Sequence, residues 1–270
     1  CFPAASAVAS SWNRRSAALV GKSIGCEALA QGVSVVLGPG VNIKRSPLCG
    51  RNFEYYSEDP YLAGELASGY VSAMQSNGVG CSLKHYAVNS RENRRMSVNA
   101  VVDERALREI YLSAFERVVK QARPYAVMAS YNKINGESAC HNKRLLTDIL
   151  RDEWGFDGLV MSDWGACYDQ AKAIDAGTDL EMPEDKSGYH ERKTMKALAD
   201  GSLRQKSLDR AAANVINLVS KCVGTTVSVD YAAHNDIAKQ VEVDSAVLLK
   251  NDGVLPLDAG QKILVVGELA

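Results

Sequence analysis

Apolar residues recur along the chain at two alternating spacings. Residues 7–29 place Trp12, Ala17, Leu19, Val20, Ile24 and Ala28 on one stripe, the pattern of an amphipathic helix. Val33-Ser34-Val35-Val36-Leu37 then reads as a strand and stops at Gly38-Pro39-Gly40. The alternation continues with a helix over 60–75, a strand over 79–84 and a helix over 103–121. A strand over 126–130, a helix over 143–153, a strand ending at Asp163 and a helix through 171 follow. A short strand over 178–182 precedes two helices, 190–199 and 208–221. Asp59 before Pro60, and Asp103, are helix-start residues: their carboxylates cap free N–H groups, and proline suits the first helical position. Strands that alternate with helices imply a parallel sheet with right-handed connections.

Five strands fall short of the eight that a (β/α)8 barrel needs. The pattern therefore predicts an α/β chain: a TIM-type (β/α)8 barrel, N-terminally truncated, over residues 1–222. A doubly wound open sheet is the structural rival. The long loops all follow strands, at Pro39, His85, Tyr131 and Trp164, which gathers polar groups on one rim. Residues 223–260 read as a linker that packs back on the barrel, extended over 224–230 and helical over 235–243, with a strand, turn and strand over 247–257. Lys262-Ile263-Leu264-Val265-Val266-Gly267 reads as the first strand of a second domain, 261–270. The start at Cys1, inside a loop, adds the expectation of a partial chain.

Composition narrows the classes. Hydrophobic residues make up 46% and charged residues 23%, enough for a sizeable core. The net charge of −1 gives no electrostatic case for nucleic acid or an anionic membrane as partner. No apolar run approaches the roughly 20 residues that span a bilayer. Seven scattered cysteines without a CxxC pair argue against a zinc site or a disulfide scaffold. Several sit in apolar segments as small core residues, which points toward a reducing, cytoplasmic compartment without fixing it.

The chemistry gathers around Gly158-Leu159-Val160-Met161-Ser162-Asp163-Trp164-Gly165. A brief apolar run that switches to polar residues marks the carboxyl end of a buried parallel strand, where catalytic groups sit in α/β folds. Asp163 is either a catalytic carboxylate, with Trp164 as an apolar platform beside it, or the cap of the next helix. Three other loops face the same rim. They carry Arg51, Asn52, Glu54, Glu58 and Asp59; Lys84, His85, Asn89, Glu92, Arg94 and Arg95; and Tyr131, Asn132 and Lys133. Arg51 with Glu54 could equally be a solvated ion pair, and Lys84-His85 a strand-end pair satisfied by carbonyls. A carboxylate among such long donors suits a nucleophile or an electrostatic stabiliser, and a sugar offers the matching ring of hydroxyls. No metal or cofactor is expected: His85 has no partner at ligand spacing, and Gly38-Pro39-Gly40 lacks the Lys and Ser/Thr of a phosphate loop.

Five ordered motifs carry a resemblance. Cys49-Gly50-Arg51-Asn52-Phe53-Glu54, Ser57-Glu58-Asp59-Pro60, Lys84-His85-Tyr86, Ser130-Tyr131-Asn132 with Asn135-Gly136, and Trp154-Gly155-Phe156-Asp157-Gly158 through Ser162-Asp163-Trp164-Gly165 together resemble family 3 glycoside hydrolases, the β-glucosidase branch. Phe2-Pro3-Ala4-Ala5 and Leu248-Leu249-Lys250-Asn251 match family positions too. The resemblance implies retaining hydrolysis of terminal β-D-glucosyl residues, with Asp163 as nucleophile. It implies that Arg51, Lys84, His85, Arg95, Tyr131 and Trp164 hold the sugar, Arg95 rather than Arg94 being chosen by its offset from Lys84. Trp164 favours glucosidase over the β-xylosidase-type members. The loop Tyr86-Ala87-Val88-Asn89-Ser90 lacks the His of the N-acetylglucosaminidase branch. The acid/base is expected from a Glu of the following α/β sandwich domain, a partner in cis that barely begins at Lys262. The family's sugar-binding Asp-Gly-Pro motif is also absent here. The expected substrate is a β-glucoside or β-linked oligosaccharide. The competing reading is an inactive sugar-binding fragment. A sugar-phosphate lyase or isomerase ranks below both, because Asp175-Ala176-Gly177-Thr178-Asp179 makes a poor phosphate loop.

Overall fold

A computed structural model of the chain describes residues 1–222 and 227–268. Its centre is a four-stranded, all-parallel sheet: β1 (Val35–Val36), β2 (Gly80–Tyr86), β3 (Ala126–Ala129) and β4 (Leu159–Ser162). The strands neighbour one another in chain order. Successive βα units laid side by side give this order, and no switch point falls among these four strands. The expected fifth strand shrinks to one parallel bridge, Met161 with Leu180. Among the described residues no ladder joins that edge to β1, and the sheet is open.

Both faces of the sheet are buried, which is why its strands read as unbroken apolar runs rather than alternating ones. On one face Leu83, Val127 and Val160 pack with Leu66, Met74, Phe115 and Val118, from the helices Pro60–Gln75 and Ser113–Ala122. On the other, Met128, Leu159 and Met161 meet Leu180 and Met182, and Val215 and Leu218 of the helix Gln205–Lys221. The helices Arg14–Ala30 and Pro60–Gln75 lie so close that a Cβ on Gly21 would stand 2.4 Å from the Tyr70 carbonyl oxygen. Only glycine allows that approach.

Several boundaries differ from the sequence reading. The first helix divides into Ala5–Ser10 and Arg14–Ala30, because Trp12 turns the chain at φ 55 and Asn13 caps the second piece. The 103–121 helix holds a wider, π-type turn at Leu107–Tyr111, and Arg144–Glu153 winds the same way throughout. The helix placed through 171 runs over Gln170–Ala176. The loop after β3 folds into a small hairpin, Lys133–Ile134 with Glu137–Ser138, against Asn99–Ala100. Asp59 and Asp103 cap their helices as expected.

Of the linker reading, residues 223–226 lie outside the described residues. The helix Tyr231–Ser245 packs back on the N-terminal helices through Ala238 and Val241, and His234 Nδ1 lies 2.7 Å from Glu27 Oε1. The expected strands over 247–257 and 262–267 do not form; Leu249, Leu264 and Val266 are exposed. A strand needs a neighbour for its N–H and C=O groups, and these stretches have none among the described residues. All seven cysteines are free, and Cys49, Cys81, Cys140 and Cys167 are buried.

Candidate active site

The carboxyl end of the sheet brings four loops together. Asp163 follows β4 directly, and its N–H donates to the Ala129 carbonyl at 3.0 Å, which extends the β3–β4 ladder. Its Oδ1 accepts from Trp164 N at 2.7 Å. The cap reading fails, because the next helix, Gln170–Ala176, is capped by Asp169. Asp163 is only 7% exposed, and its Oδ2 has no hydrogen-bond partner among the described residues. A buried, unpartnered carboxylate oxygen is costly, and such atoms concentrate where a ligand completes the pairing.

Lys84 and His85 come from the end of β2. The β2–β3 register slips between Lys84 and Tyr86, so His85 bulges out of the ladder. Bulges re-aim side chains beside active sites. His85 Nε2 lies 3.6 Å from Asp163 Oδ2. Asn42 clamps the His85 backbone from both sides, accepting from its N–H at 2.8 Å and donating to its carbonyl at 2.9 Å. Burial, and then the charges of Arg51, Lys84 and Arg95, push the His85 imidazole well below its ordinary value. It is therefore neutral.

Arg51 and Lys84 converge on one carboxylate. Glu54 pairs with Arg51 through Oε1 and with Lys84 Nζ at 3.2 Å through Oε2, all three largely shielded from water. Burial would raise the Glu54 pKa, but hydrogen bonds and charge from Arg51 and Lys84 outweigh it and hold the carboxyl below 4.5. Glu54 is thus an anchor for two cations and a poor proton donor. Its stabilising effect is complete above the unfolded value of 4.5 and is lost as pH falls through the lower folded value. Glu54→Gln is expected to flatten the acid side of the Tm–pH curve as pH falls below 4.5. A mutant curve parallel to the wild type would remove Glu54 from that role.

Arg95, and not Arg94, reaches the cluster. Its guanidinium sits 4.5 Å above the Tyr131 ring and bonds Glu92 at 2.9 Å, whereas Arg94 is exposed in a left-handed turn. Burial, then the nearby Asp163 carboxylate, raise the Tyr131 phenol above its ordinary value. Trp164 stands beside Asp163, 42% exposed, as an open platform at the rim. Lys133 and Glu58 are exposed, and Asp59 serves its helix; none joins the cluster. Two residues that the sequence did not single out do join it. Asn42 follows the Gly38-Pro39-Gly40 turn, and Tyr55 follows Glu54 with its hydroxyl 3.0 Å from His85 Nδ1. A cavity of about 620 Å³ between His141, Asp169, Lys172 and Tyr189 does not include Asp163.

Residues 1–218 match the family described as glycosyl hydrolase family 3 N terminal domain. Thermostable beta-glucosidase B of Acetivibrio thermocellus is 48% identical over 99% of the chain and 36% of its own length. An exo-alpha-(1->6)-L-arabinopyranosidase of Bifidobacterium longum is 49% identical over 100% of the chain and 37% of its own length. The solved structure of beta-glucosidase 3B from Thermotoga neapolitana in complex with glucose superposes with a TM-score of 0.91 at 42% identity, covering 96% of this chain and 38% of that one. The chain thus spans little more than a third of the length of these relatives.

Proposed function

The chain belongs to glycosyl hydrolase family 3, and from that premise we propose that it carries the nucleophile side of the active site of a retaining β-glucosidase. The observation that carries the reading is Asp163: a buried carboxylate at a strand's carboxyl end, one oxygen unpartnered, facing His85 among Arg51, Lys84, Arg95 and Tyr131. In the proposed reaction Asp163 Oδ2 attacks the anomeric carbon of a terminal β-D-glucosyl residue. The C1–O bond to the leaving group breaks, and a covalent glycosyl-enzyme forms. Water then displaces Asp163 and restores the β configuration. Arg51, Lys84, His85, Arg95 and Tyr131 bind the sugar hydroxyls, and Trp164 holds the same sugar as an apolar platform.

Retention needs a second carboxyl group about 5–5.5 Å from the first to protonate the leaving oxygen and then activate water. Glu54 and Glu92 are committed to ion pairs with Arg51, Lys84 and Arg95, and its two cations hold Glu54 below its ordinary pKa. We assign the acid/base to a Glu of a domain that follows residue 260, reached through the 223–260 linker from a sugar-binding domain over residues 1–222. The family match to residues 1–218 agrees with that division.

The Bifidobacterium longum relative favours a second reading of the substrate, an arabinopyranoside, which lacks the hydroxymethyl group at C5. Release of dinitrophenol from the β-D-glucoside and the α-L-arabinopyranoside tests both, since this leaving group departs without a proton. Faster release from the glucoside is expected. Faster release from the arabinopyranoside would move the substrate class, and release from neither by a folded chain would favour the inactive sugar-binding fragment.

A further inference from the structure

His85 has a ring proton whose position decides what it can offer Asp163. We propose that Tyr55, itself held by Asn89 and Glu92, fixes His85 as the Nε2–H tautomer and so aims an N–H at Asp163 Oδ2 and at the sugar group that comes to lie between them. Tyr55 and Asn89 are then positioning residues that act through His85. The tautomer follows from the hydrogen bonds alone; its value for catalysis rests on the glycosidase reading.

The chain of donors runs one way. Glu92 Oε1 lies 3.3 Å from the Asn89 amide nitrogen. Glu92 also pairs with Arg95 at 2.9 Å, and a carboxylate in such a pair accepts, so this end of Asn89 is the NH2. The same nitrogen donates to the Tyr55 hydroxyl oxygen at 3.3 Å. Tyr55 is fully buried, and burial raises its phenol far above the physiological range, so it keeps its proton. That proton points to His85 Nδ1 at 3.0 Å, which must accept it. His85 is neutral, for the burial and charge reasons given above, and its remaining proton is therefore on Nε2. The opposite tautomer would give the buried Tyr55 proton no acceptor and set the Nε2 lone pair against the Asp163 carboxylate, 3.6 Å away. Both results are unfavourable in a buried site.

Backbone geometry holds Tyr55 where this requires. Gly40 forms parallel bridges to Tyr55 and to Lys84, which ties the first loop to the end of β2. A Cβ on Gly40 would lie 2.8 Å from the Tyr55 ring, so the ring packs directly on the glycine backbone. The separation of 3.6 Å between His85 Nε2 and Asp163 Oδ2 is too long for a direct hydrogen bond. It suits an N–H that supports the carboxylate while leaving its oxygen free to attack.

The test is long-range 1H–15N correlation on the 270-residue chain labelled with 15N-histidine. Four histidines give a sparse spectrum, and His85→Gln assigns the signal. The expected pattern for His85 at pH 6 to 8 is an unprotonated Nδ1 and a protonated Nε2. Tyr55→Phe, and independently Asn89→Ala, should each introduce an Nδ1–H population. Tyr86→Phe removes another buried hydroxyl, bonded to the Leu145 carbonyl, and should leave the His85 signal unchanged. In dinitrophenyl β-glucoside hydrolysis, Tyr55→Phe should cost about 10- to 100-fold in kcat/KM, the scale of loss when a partner that orients a metal-ligating histidine is removed. A wild-type His85 protonated on Nδ1 or on both nitrogens overturns the proposal. So does an unchanged His85 signal in whichever of the two variants folds. Absence of hydrolysis with the expected spectrum would instead count against the glycosidase reading.

Discussion

Asp163→Asn is expected to lower turnover of dinitrophenyl β-glucoside by about 10⁴-fold or more, the scale of loss when a group at the centre of covalent catalysis is removed. Asparagine keeps the shape and can still accept from Trp164 N, so the fold should survive with an unchanged Tm. The effect falls on kcat because the lost bond forms only beyond the bound state. Glucose binding should remain, since Arg51, Lys84, His85, Arg95 and Tyr131 come from other loops. A mutant retaining a tenth of the activity would place the nucleophile elsewhere.

Asp179→Ala is expected to cause the largest loss of stability. The Asp179 side chain is wholly buried and accepts from Arg151 Nη2 at 2.5 Å and from Val160 N at 2.8 Å, with Arg210 Nε at 3.5 Å. Arg151 also donates to the Gly158 and Gly177 carbonyls at 3.0 and 3.1 Å. The cluster ties the helix Arg144–Glu153 and the helix Gln205–Lys221 to the start of β4, below Asp163. Burial raises the Asp179 pKa, against the pull of Arg151, Val160 N–H and Arg210. Removing the carboxylate strands two guanidinium groups, one largely buried. Breaking a buried pair in this way costs about 3–5 kcal/mol, a large part of the ~5–15 kcal/mol that holds a typical domain together. Urea unfolding checks it, with Asp179→Asn expected to lose less because Val160 N keeps its acceptor. A loss under about 1 kcal/mol would mean that the cluster is solvated like a surface pair.

Asp163 was legible because a short apolar run that ends in a polar switch has few structural meanings. The competing cap reading failed for a visible reason: Asp169, six residues on, does that work. The parallel sheet was legible from alternation alone, but strand order and strand length were not. β1 keeps only Val35–Val36 because only those residues find partners, Gly80 and Cys81, on β2. The 178–182 stretch keeps a single bridge at Leu180 for the same reason. Trp12 fitted the helical stripe by spacing, yet it breaks the helix, since spacing carries no backbone angle. Tyr55 and Asn42 escaped notice because they meet His85 across 30 and 43 residues and through no motif. The bulge that aims His85 is likewise a property of two strands together. The family resemblance supplied the sugar-binding roles; the residues alone supplied a rim of donors around one carboxylate.

The most direct test of Asp163 as nucleophile is intact-mass and peptide analysis after incubation with a 2-deoxy-2-fluoro-β-D-glucoside bearing a dinitrophenyl leaving group. The fluorine slows release of the intermediate, and the leaving group needs no general acid. One sugar covalently attached to the peptide containing Asp163, and absent from Asp163→Ala, is the predicted result. A label on another carboxylate, or none on a chain shown to be folded and to bind glucose, would contradict it.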